Sequence, residues 1–312
     1  IIYQGGVDFS KKNKSLTAAY MTGALRIEQP AVRRKWHSYI GIRGARANNL
    51  KDIDVKFPLH TITTVTGVSG SGKSTLVHDI LFNAMAVKLG SNETKPGRHT
   101  AMDGDFSSIT GVELIDQNPI GKSTRSNPVT YLKAFDDIRK LFAEQQAAVQ
   151  SGFKPAHFSF NVEGGRCEEC QGEGVIRVEM QFMADVELTC EACKGMRYKR
   201  DILDVKFNCK NIYEVLDMTI DEAMEFFGRS KDKTCSRIAA KLRPLADVGL
   251  GYVRLGQSSS TLSGGESQRV KLAYYLSQEK SEAKMLFIFD EPTTGLHFHD
   301  INKLMKSLNA LV

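Results

Sequence analysis

The pattern of apolar and polar positions along the chain predicts an α/β fold. Residues 285 to 289, MLFIF, form an apolar run of strand length, which is typical of a strand buried on both faces of a sheet. The β-branched stretch ITTVTG from residue 62 predicts a second strand, followed by an amphipathic helix as far as residue 81. Apolar residues at steps of three and four predict further helices within 129–149 and 219–230.

The length of the chain, 312 residues, favours two structural units, such as one compact body with an insert. Hydrophobic residues make up 41% of the chain and charged residues 25%, as in an ordinary soluble globular protein. No apolar run reaches the roughly 18 residues that a membrane span needs, and the first residues lack the features of a secretory signal. We therefore expect a cytoplasmic protein without a membrane partner.

The net charge of +6 would permit an acidic partner such as a nucleic acid without requiring one. The most basic stretch lies within residues 26–51, where a solvated face and a contact surface fit the composition about equally well. Six cysteines are too few for a disulfide-dense secreted scaffold. Four of them form two CxxC pairs, and that pattern indicates a metal site.

A glycine-rich turn between the predicted strand and helix matches the phosphate-binding pattern GxxxxGK[ST]. Gly67 and Gly72 would let backbone N–H groups converge on phosphate oxygens, and the helix that follows would add a favourable dipole. Lys73 would neutralise the β and γ phosphates of a nucleotide, and Ser74 would be a ligand of Mg²⁺. The alternative is a glycine turn with an exposed lysine. The other loop residues expected at the nucleotide are Ser69, Gly70 and Thr75.

Two acidic residues follow the apolar run near the end of the chain. Asp290 comes directly after the predicted strand, and α/β sheets bind ligands at the carboxyl ends of their strands. There Asp290 could hold the Mg²⁺ shell, and Glu291 could activate the attacking water as a catalytic general base. An apolar strand that ends in two acids is a weak signal alone. Together with the phosphate loop it predicts a nucleotide hydrolase.

The segment TLSGGESQRVKLA predicts a helix that begins at a second candidate anion site. Ser263 and Glu266 fit a capping box, whereas Gly264 and Gly265 leave the N–H groups of the first turn free of side chains. A plain helix cap would account for Ser263 and Glu266 only. A phosphate-binding site accounts for all four residues.

The two CxxC pairs have the spacing of a four-thiolate zinc ribbon. Cys167 and Cys170 are separated by 19 residues from Cys190 and Cys193, and the residues between the pairs alternate as a β-hairpin would. Four thiolates close a tetrahedral site, so the zinc would be structural rather than catalytic. The two remaining cysteines lack near partners in the sequence and are expected to be small buried apolar residues; they are Cys209 and Cys235.

Two short clusters of basic residues are candidates for contacts with nucleic-acid phosphates. Residues 151–212 as a whole are not basic, with nine Lys or Arg against ten Asp or Glu. Phosphate contacts dominate nucleic-acid affinity, so the local clusters support the prediction, although simple solvation would also explain them. No base-reading helix is evident, which favours recognition of duplex deformability over sequence. The candidate residues are Lys122, Arg125, Lys194, Arg197, Lys199 and Arg200.

Three of these motifs together resemble the nucleotide-binding domain of ABC-type ATPases. GVSGSGKST, LSGGESQRV and FIFDEPTTGL are similar to the Walker A, signature and Walker B elements of that family. The resemblance implies that two heads close on ATP, with the signature of one head facing the Walker A element of the other. It also implies a catalytic glutamine loop, and Gln117 in VELIDQNPIG stands where that loop is expected.

The long insertion between these motifs makes the resemblance more specific. Lys73 and Ser263 are 190 residues apart, more than a minimal transporter ATPase requires, and the insert carries the paired cysteines. Together with segments such as DQNPIGKSTRSNPVTY and FSFNVEGGRCEECQGEGV, the chain resembles the C-terminal half of the UvrA family from about residue 15 to 297.

This second resemblance implies DNA-damage recognition by an ATPase of nucleotide excision repair, acting with an excision nuclease of the SOS response. The implied cofactors are ATP, Mg²⁺ and Zn²⁺. The implied partners are double-stranded DNA, a UvrB-like helicase subunit that would dock through a preceding half, and a second copy of the full-length protein in a homodimer.

The resemblance also implies a domain organisation. Residues 1–38 would connect to a preceding half, and 39–117 and 246–312 would form the ATPase core. Between them, 118–245 would be an inserted and mainly helical signature domain with a zinc module at 160–200. The histidine switch that such ATPases place after Walker B is expected beyond residue 312.

Two other classes of protein share part of these motifs. CEECQGEG fits the CxxCxGxG repeat of the cysteine-rich region in DnaJ-type chaperones, which would make the chain a polypeptide-binding module. That region needs four such repeats, and CEACKGMR is an incomplete second one. A transport or translation ATPase of the ABC type would share the three nucleotide motifs but would leave the cysteine insert unexplained.

Overall fold

The computed structural model describes residues 15–121, 125–178, 180, 186–278 and 284–312, and the chain divides into two compact units. One unit joins the residues up to Gln117 to those from Gln278 onward, and the other is Asn118–Ser277. Its sequence motifs led us to expect the segment from 246 to 277 in the ATPase core. In the structure this segment belongs to the second unit instead. The physical reason is that the signature helix packs against helices of the insert.

The described part of the chain contains both strands and helices, in agreement with the predicted α/β class. In chain order the strands are β1 (Tyr39–Ala45), β2 (Ile53–Pro58), β3 (Ala101–Gly104), β4 (Gly111–Ile115), β5 (Val175–Val178), β6 (Val186–Thr189), β7 (Lys206–Phe207), β8 (Lys210–Asn211) and β9 (Met285–Phe289). The α-helices are α1 (Leu16–Met21), α2 (Asn83–Lys88), α3 (Pro128–Tyr131), α4 (Ala134–Ala143), α5 (Gln146–Gln150), α6 (Arg200–Leu203), α7 (Ile212–Leu216), α8 (Ile220–Gly228), α9 (Lys233–Asp247), α10 (Gly264–Ser277) and α11 (Phe298–Leu311). Further helical segments are a π-helix at Thr75–Phe82 and 3₁₀ turns at Pro155–Phe158 and Ser259–Thr261.

Two sheets make up the strand part of the first unit. β1 lies between β2 and β3 and is antiparallel to both. β4 runs parallel to β9, with Ile115 opposite Phe289, so the carboxyl ends of both strands lie at one edge. Parallel neighbours need a crossover connection, and here the second unit lies between them in sequence. The strand predicted at 285–289 is confirmed, but only Ile288 in it is buried and the others are half-buried.

The core of the first unit joins the strands to the helix that follows the glycine turn. Ile40 and Ile42 of β1 are fully buried. Leu76 and Ile80 of the π-helix belong to the same apolar cluster, together with Ile288 of β9. Burial of each such side chain stabilises the fold by roughly 1.5–3 kcal/mol. This cluster therefore fixes the beginning of the π-helix against both sheets.

The strand predicted at 62–67 is not formed, and this prediction was wrong. Residues 62 to 66 have no ladder partner in the described ranges, and Ile62 and Val65 are 43% and 36% exposed. β-branched residues favour strands because they pack against neighbouring strands, so the preference has no effect where no strand lies alongside. The helix predicted after the turn does form, as the π-helix followed by α2.

The second unit is mostly helical, as expected. Residues 129–149 form α3, α4 and α5 rather than one helix. The break between α3 and α4 lies at Lys133, which has a left-handed backbone with φ of 57°. α8 confirms the helix predicted within 219–230, and reciprocal bonds between Thr219 and Glu222 cap its first turn. α9 packs against α8, α4 and α10.

The hairpin predicted between the cysteine pairs is formed by β5 and β6. Val175 lies opposite Thr189, and Val178 lies opposite Val186. The residues that connect the two strands lie outside the described ranges except for Met180. None of the helices in the described ranges is long and apolar enough to span a bilayer.

Candidate nucleotide and metal sites

The predicted phosphate loop, residues 67 to 75, is a mostly exposed turn that depends on glycine. Gly70 and Gly72 have φ values of 74° and 95°, which side chains rarely adopt. A Cβ on Gly72 would lie 2.7 Å from the side chain of Leu50, whereas a Cβ on Gly70 would meet nothing within 4 Å. Gly72 is therefore required both for its backbone conformation and for a close approach.

Lys73 reaches back over this loop. Its Nζ donates to the carbonyl oxygens of Gly67 and Val68, both at 2.9 Å. The bond from the Leu76 N–H to the carbonyl of Gly72, at 2.8 Å, places the residues between them in the first helical turn, where N–H groups can face an anion. Of the other predicted loop residues, Ser69 and Ser74 are exposed and Thr75 is buried.

A turn after β1 supports the phosphate loop from one side. Asn48 donates its side-chain amide to Oγ1 of Thr75 at 3.0 Å, and Asn49 donates to the carbonyl oxygen of Gly70. The sequence motif of the loop does not predict these two residues. Adjacent asparagines at the end of a strand are a turn signal, but nothing in the local sequence shows which distant loop that turn contacts.

The predicted acids and glutamine lie at the carboxyl edge of the parallel sheet. Asp290 follows β9, and its N–H donates to the carbonyl of Ile115 at the end of β4 at 3.4 Å. Gln117 follows the same end of β4, so the fold brings it to the same edge. Glu291 has a left-handed backbone with φ of 44°, and its Oε2 accepts from Oγ1 of Thr294 at 3.2 Å. Backbone strain of this kind is concentrated at functional sites.

These groups belong to one compact unit. The π-helix that begins in the phosphate loop contacts both strands of the sheet that carries the acids. The side chains of Gln117, Asp290 and Glu291 are exposed. The first unit thus offers a glycine loop with a lysine over it and a sheet edge with two carboxylates, which is the set of groups that nucleotide phosphates and a divalent cation require.

The signature residues begin α10 in the second unit and form the predicted capping box. Ser263 donates to Oε2 of Glu266 from its backbone N–H at 2.8 Å and from its Oγ at 3.0 Å. In return the Glu266 N–H donates to Oγ of Ser263 at 3.3 Å. Gly264 and Gly265 are the first two residues of the helix. Their N–H groups are in the position that favours an anion.

The carboxylate of Glu266 is held by further contacts. Tyr252 donates its hydroxyl to Oε1 of Glu266 at 2.6 Å. Partial burial acts to raise the pKa of Glu266, but the hydrogen bonds from Tyr252 and Ser263 outweigh it and the pKa lies below its ordinary value. Glu266 is therefore a firmly ionised group. Tyr252 lies outside the sequence motif and was not predicted as part of the site.

The four predicted metal ligands form one buried cluster. Their Sγ atoms all lie within 4.8 Å of one another, and each residue is at most 7% exposed. Sγ of Cys167 is 3.9 Å from that of Cys190, and Sγ of Cys170 is 3.6 Å from that of Cys193. A tetrahedral zinc site with ordinary Zn–S bonds has sulfur separations of about 3.8 Å. The donor set and its dimensions therefore fit a metal ion.

The two CxxC pairs are followed by the same backbone conformation. Gln171 and Lys194, directly after the second cysteine of each pair, both have φ of 50°, and Gly172 and Gly195 follow with φ of 85° and 82°. Burial raises the pKa of Cys193 to about 12, and a bound cation would favour the thiolate form of this residue.

The two remaining cysteines have different surroundings. Cys235 is buried, as predicted, in α9. Cys209 is exposed, so the expectation that it would be buried was wrong. It lies in the two-residue turn between β7 and β8, with φ of 64°, and such a short hairpin turn projects its residues into solvent.

The predicted DNA-contact residues differ in how accessible their charges are. Lys194 and Arg200 are exposed. Lys199 forms an ion pair with Glu168 at 2.5 Å. Arg125 lies 3.8 Å from a carboxylate oxygen of Glu173, and Lys122 is outside the described residues.

Arg197 is engaged inside the second unit. Its guanidinium donates to the carbonyl oxygen of Gly256 at 3.1 Å and lies over the ring of Phe160. Its backbone carbonyl accepts from the N–H of Cys167 at 2.8 Å. This residue thus links the cysteine cluster to the segment that leads into the signature.

Comparison with known proteins gives a consistent relationship, although no family model matches the chain. The UvrABC system protein A of Clostridium perfringens is 52% identical over 314 residues, which cover 100% of this chain and 33% of that protein. The UvrABC system protein A of Methanothermobacter thermautotrophicus is 52% identical over 299 residues, which cover 96% of this chain and 30% of that protein.

A solved structure is also similar in fold. The crystal structure of UvrA2 from Deinococcus radiodurans matches with a TM-score of 0.83 and 44% identity, over 95% of this chain and 35% of that one. The chain thus spans about a third of the length of the relatives that it matches. Nearly the whole chain is thus similar, in sequence and in fold, to about a third of a UvrA protein.

Proposed function

We propose that this chain is the second nucleotide-binding domain, in the C-terminal half, of an ATPase that recognises DNA damage in nucleotide excision repair. The observation that carries the proposal is the joint presence in one compact unit of Lys73 over a glycine loop and of Asp290 and Glu291 at a sheet edge. The similarity of the whole chain to UvrABC system protein A supplies the biological context.

In this proposal the first unit binds Mg²⁺–ATP. The N–H groups of the loop and Lys73 hold the phosphates, and Ser74 and Asp290 hold Mg²⁺, which would supply Lewis-acid neutralisation of phosphate charge. Glu291 takes a proton from the attacking water, since it is exposed and directly follows Asp290 in the chain. Gln117, at the same edge, orients that water.

The second unit contributes the signature and the metal-binding module. Ser263, Gly264 and Gly265 would bind the γ phosphate of ATP held by another head, since a helix N-terminus with bare glycines suits an anion. The four cysteines would hold a structural Zn²⁺ as a zinc ribbon, which supports the fold and takes no part in hydrolysis.

The proposed partners are duplex DNA, a UvrB-like subunit and a second copy of the full-length protein, in the cytoplasm. Among the candidate DNA contacts, Lys194 and Arg200 are the strongest because their charges are exposed. Arg125 and Lys199 would have to exchange a carboxylate for a phosphate. Arg197 would have to give up its bond to Gly256, and Lys122 completes the proposed set. The proposal also includes a connector at 1–38, a signature domain at 118–245 and an ATPase core at 39–117 and 246–312.

The proposal is tested by fluorescence anisotropy of a labelled duplex, with and without a bulky adduct, at several salt concentrations and with or without ATP. We expect binding that weakens with salt, favours the adduct and responds to ATP. Lys73→Ala should abolish the ATP response and raise the Kd for ATP at least tenfold, since a charge-assisted hydrogen bond contributes roughly 1.5–3 kcal/mol.

Lys95→Ala is the matched control, because Lys95 is exposed in the same unit but outside the loop. An ATP response that survives in Lys73→Ala would contradict the proposed nucleotide site. Equal binding to both duplexes would reduce the function to general DNA binding.

A further inference from the structure

Tyr252 contacts the signature although it lies outside the motif. Its hydroxyl donates to Oε1 of Glu266 at 2.6 Å. The other oxygen of that carboxylate, Oε2, accepts both the N–H and the Oγ of Ser263. Both oxygens of Glu266 are therefore occupied within the second unit. Glu266 is thus arranged to hold Ser263 in place rather than to bind a ligand itself.

The turn that carries Tyr252 is fixed on α8. The Asp221 N–H donates to the carbonyl of Gly251 at 3.0 Å, and the Ile220 N–H donates to that of Val253 at 2.9 Å. A Cβ on Gly251 would lie 2.2 Å from a carboxylate oxygen of Asp221, so the turn lies close to the first residues of α8. Tyr252 is thus anchored on both sides along the chain.

A second contact joins the same turn to α10. Arg269 is buried, and its guanidinium donates to the carbonyl of Gly265 at 3.2 Å and to that of Gly249 at 3.5 Å. Tyr252 and Arg269 therefore connect the 249–252 turn to the first turn of α10 at two points. Small displacements of that turn would be passed on to Ser263 and the two glycines.

We propose that Tyr252 is a positioning residue for the signature: through Glu266 it holds Ser263 and the first N–H groups of α10 in the geometry that meets the γ phosphate of ATP. This inference rests on the proposed function of the signature. A simple helix cap needs only the reciprocal bonds between Ser263 and Glu266, and these would remain if the Tyr252 hydroxyl were removed.

The pH dependence of this arrangement has a definite sign. The groups that face Glu266 are Tyr252, Ser263 and Arg269, and together they hold the pKa of Glu266 below its ordinary value against the effect of burial. Protonation converts one of the two accepting oxygens of Glu266 to a hydroxyl and so weakens the bonds from Tyr252 and Ser263. The arrangement is therefore weakened as pH falls through the pKa of Glu266. Removal of the Tyr252 hydroxyl removes a hydrogen-bond donor to Glu266 and so raises the pKa of Glu266. The hydrogen-bonded arrangement is then weakened at a higher pH.

The test is ATP-dependent self-association of the zinc-loaded chain, followed by sedimentation velocity from neutral to acidic pH. All variants carry Glu291→Gln, which removes the proposed general base and so preserves bound ATP. In this background Tyr252→Phe should bind ATP as before, since Tyr252 is not in the unit with the phosphate loop. Its self-association should be about tenfold weaker, and the weakening of self-association on acidification should begin at a higher pH than in the background protein.

Two further variants make the result specific. Tyr213→Phe is the matched control, a tyrosine on α7 of the same unit, and should behave like the background. The amide oxygen in Glu266→Gln still accepts from Tyr252, but this side chain cannot ionise. Self-association of this variant should therefore be weaker at neutral pH and should not weaken further through titration of residue 266 at acidic pH.

Each remaining outcome counts against one of the two proposals. If the self-association of Tyr252→Phe has the same strength and the same pH dependence as that of Tyr213→Phe, Tyr252 has no positioning role. If ATP binds without any self-association, the inference about the signature is overturned while the phosphate loop stands. If the background protein does not bind ATP, the proposed function itself is overturned.

Discussion

Single residues of the phosphate loop differ in why they must be glycine. Gly70 and Gly72 both have left-handed backbones, but of the two only Gly72 lacks space for a Cβ, which would approach the side chains of Asn49 and Leu50. A substitution at Gly70 adds backbone strain alone, of order 1 kcal/mol. A substitution at Gly72 adds a steric overlap to the same strain.

We therefore predict that Gly72→Ala weakens ATP binding much more than Gly70→Ala. The overlap with Leu50 at 2.7 Å would displace the loop from the turn that supports it. Isothermal titration calorimetry should show a Kd for ATP at least tenfold higher for Gly72→Ala than for Gly70→Ala, with both proteins folded by circular dichroism. Equal affinities in the two variants would show that the turn at 48–50 does not shape the loop.

The sequence predicted the glycines of the loop but not the residues that contact the loop in space. GxxxxGK[ST] identifies the loop because phosphate binding imposes a fixed local spacing. Asn48 and Asn49 lie about two dozen residues earlier, and their amides reach Thr75 and Gly70 only after β1 and the π-helix have packed together. Tyr252 was missed for the same reason, since its bond to Glu266 spans 14 residues with no repeating pattern.

Among the helices of the second unit, a buried carboxylate links two that are distant in sequence. Asp137 on α4 is 6% exposed and lies 2.9 Å from Arg237 and 2.7 Å from Lys241, both on α9. Burial acts to raise the pKa of Asp137, but the bonds from Lys241 and Arg237 outweigh it and the pKa lies below its ordinary value. The three charges therefore hold the two helices together.

Asp137→Asn should lower the free energy of unfolding of the second unit by about 2 kcal/mol, less than for a fully buried pair because both cations are partly exposed. Since the folded pKa is depressed, this stabilisation is complete above the unfolded carboxyl pKa and is lost as pH falls through the folded value. Urea unfolding at several pH values should show that the free energy of unfolding of Asp137→Asn lacks the decrease at acidic pH that is due to Asp137.

Asp136→Asn is the matched control, because Asp136 is the neighbouring residue and its side chain is 54% exposed beside Arg139. It should change stability by no more than about 0.5 kcal/mol. Equal effects of the two substitutions would show that the link between α4 and α9 contributes nothing.

Periodicity predicted helices more reliably than strands. The steps of three and four apolar residues located α4 and α8, because an amphipathic helix needs only one apolar face to pack. The apolar run of β9 was also found. ITTVTG failed because β-branched residues form a strand only when a neighbouring strand is present, and that is not a property of the segment itself.

For the whole molecule, the two compact units have different sources of stability. The first has an apolar core of strands and a helix, and the second combines helices with the buried cysteine cluster. Loss of a metal ligand should therefore affect the second unit selectively. A structural zinc site contributes to folding directly because its ligands come together only in the folded state.

We predict that Cys190→Ser purifies with little zinc, whereas Cys209→Ser keeps about one Zn²⁺ per chain. Cys190 is fully buried in the cluster, and Cys209 is exposed outside it. Limited proteolysis with mass spectrometry should find new cleavages between 118 and 277 in Cys190→Ser only, while the Kd for ATP stays within about threefold of the original. Zinc retained by Cys190→Ser would rule out the four-cysteine site.

The sequence by itself determined which segments of this protein carry the candidate functional groups. Spacing identified the phosphate loop, the two acids, the signature and the cysteine pairs, because each motif lies in a short segment whose local geometry its residues dictate. Tertiary packing decided which distant groups meet them. The asparagines beside the loop, Tyr252 beside Glu266, the parallel pairing of β4 with β9 and the clustering of residues 246–277 with the second unit all join segments far apart in the chain. Such contacts depend on how complete elements pack, and a local pattern of residues cannot specify them.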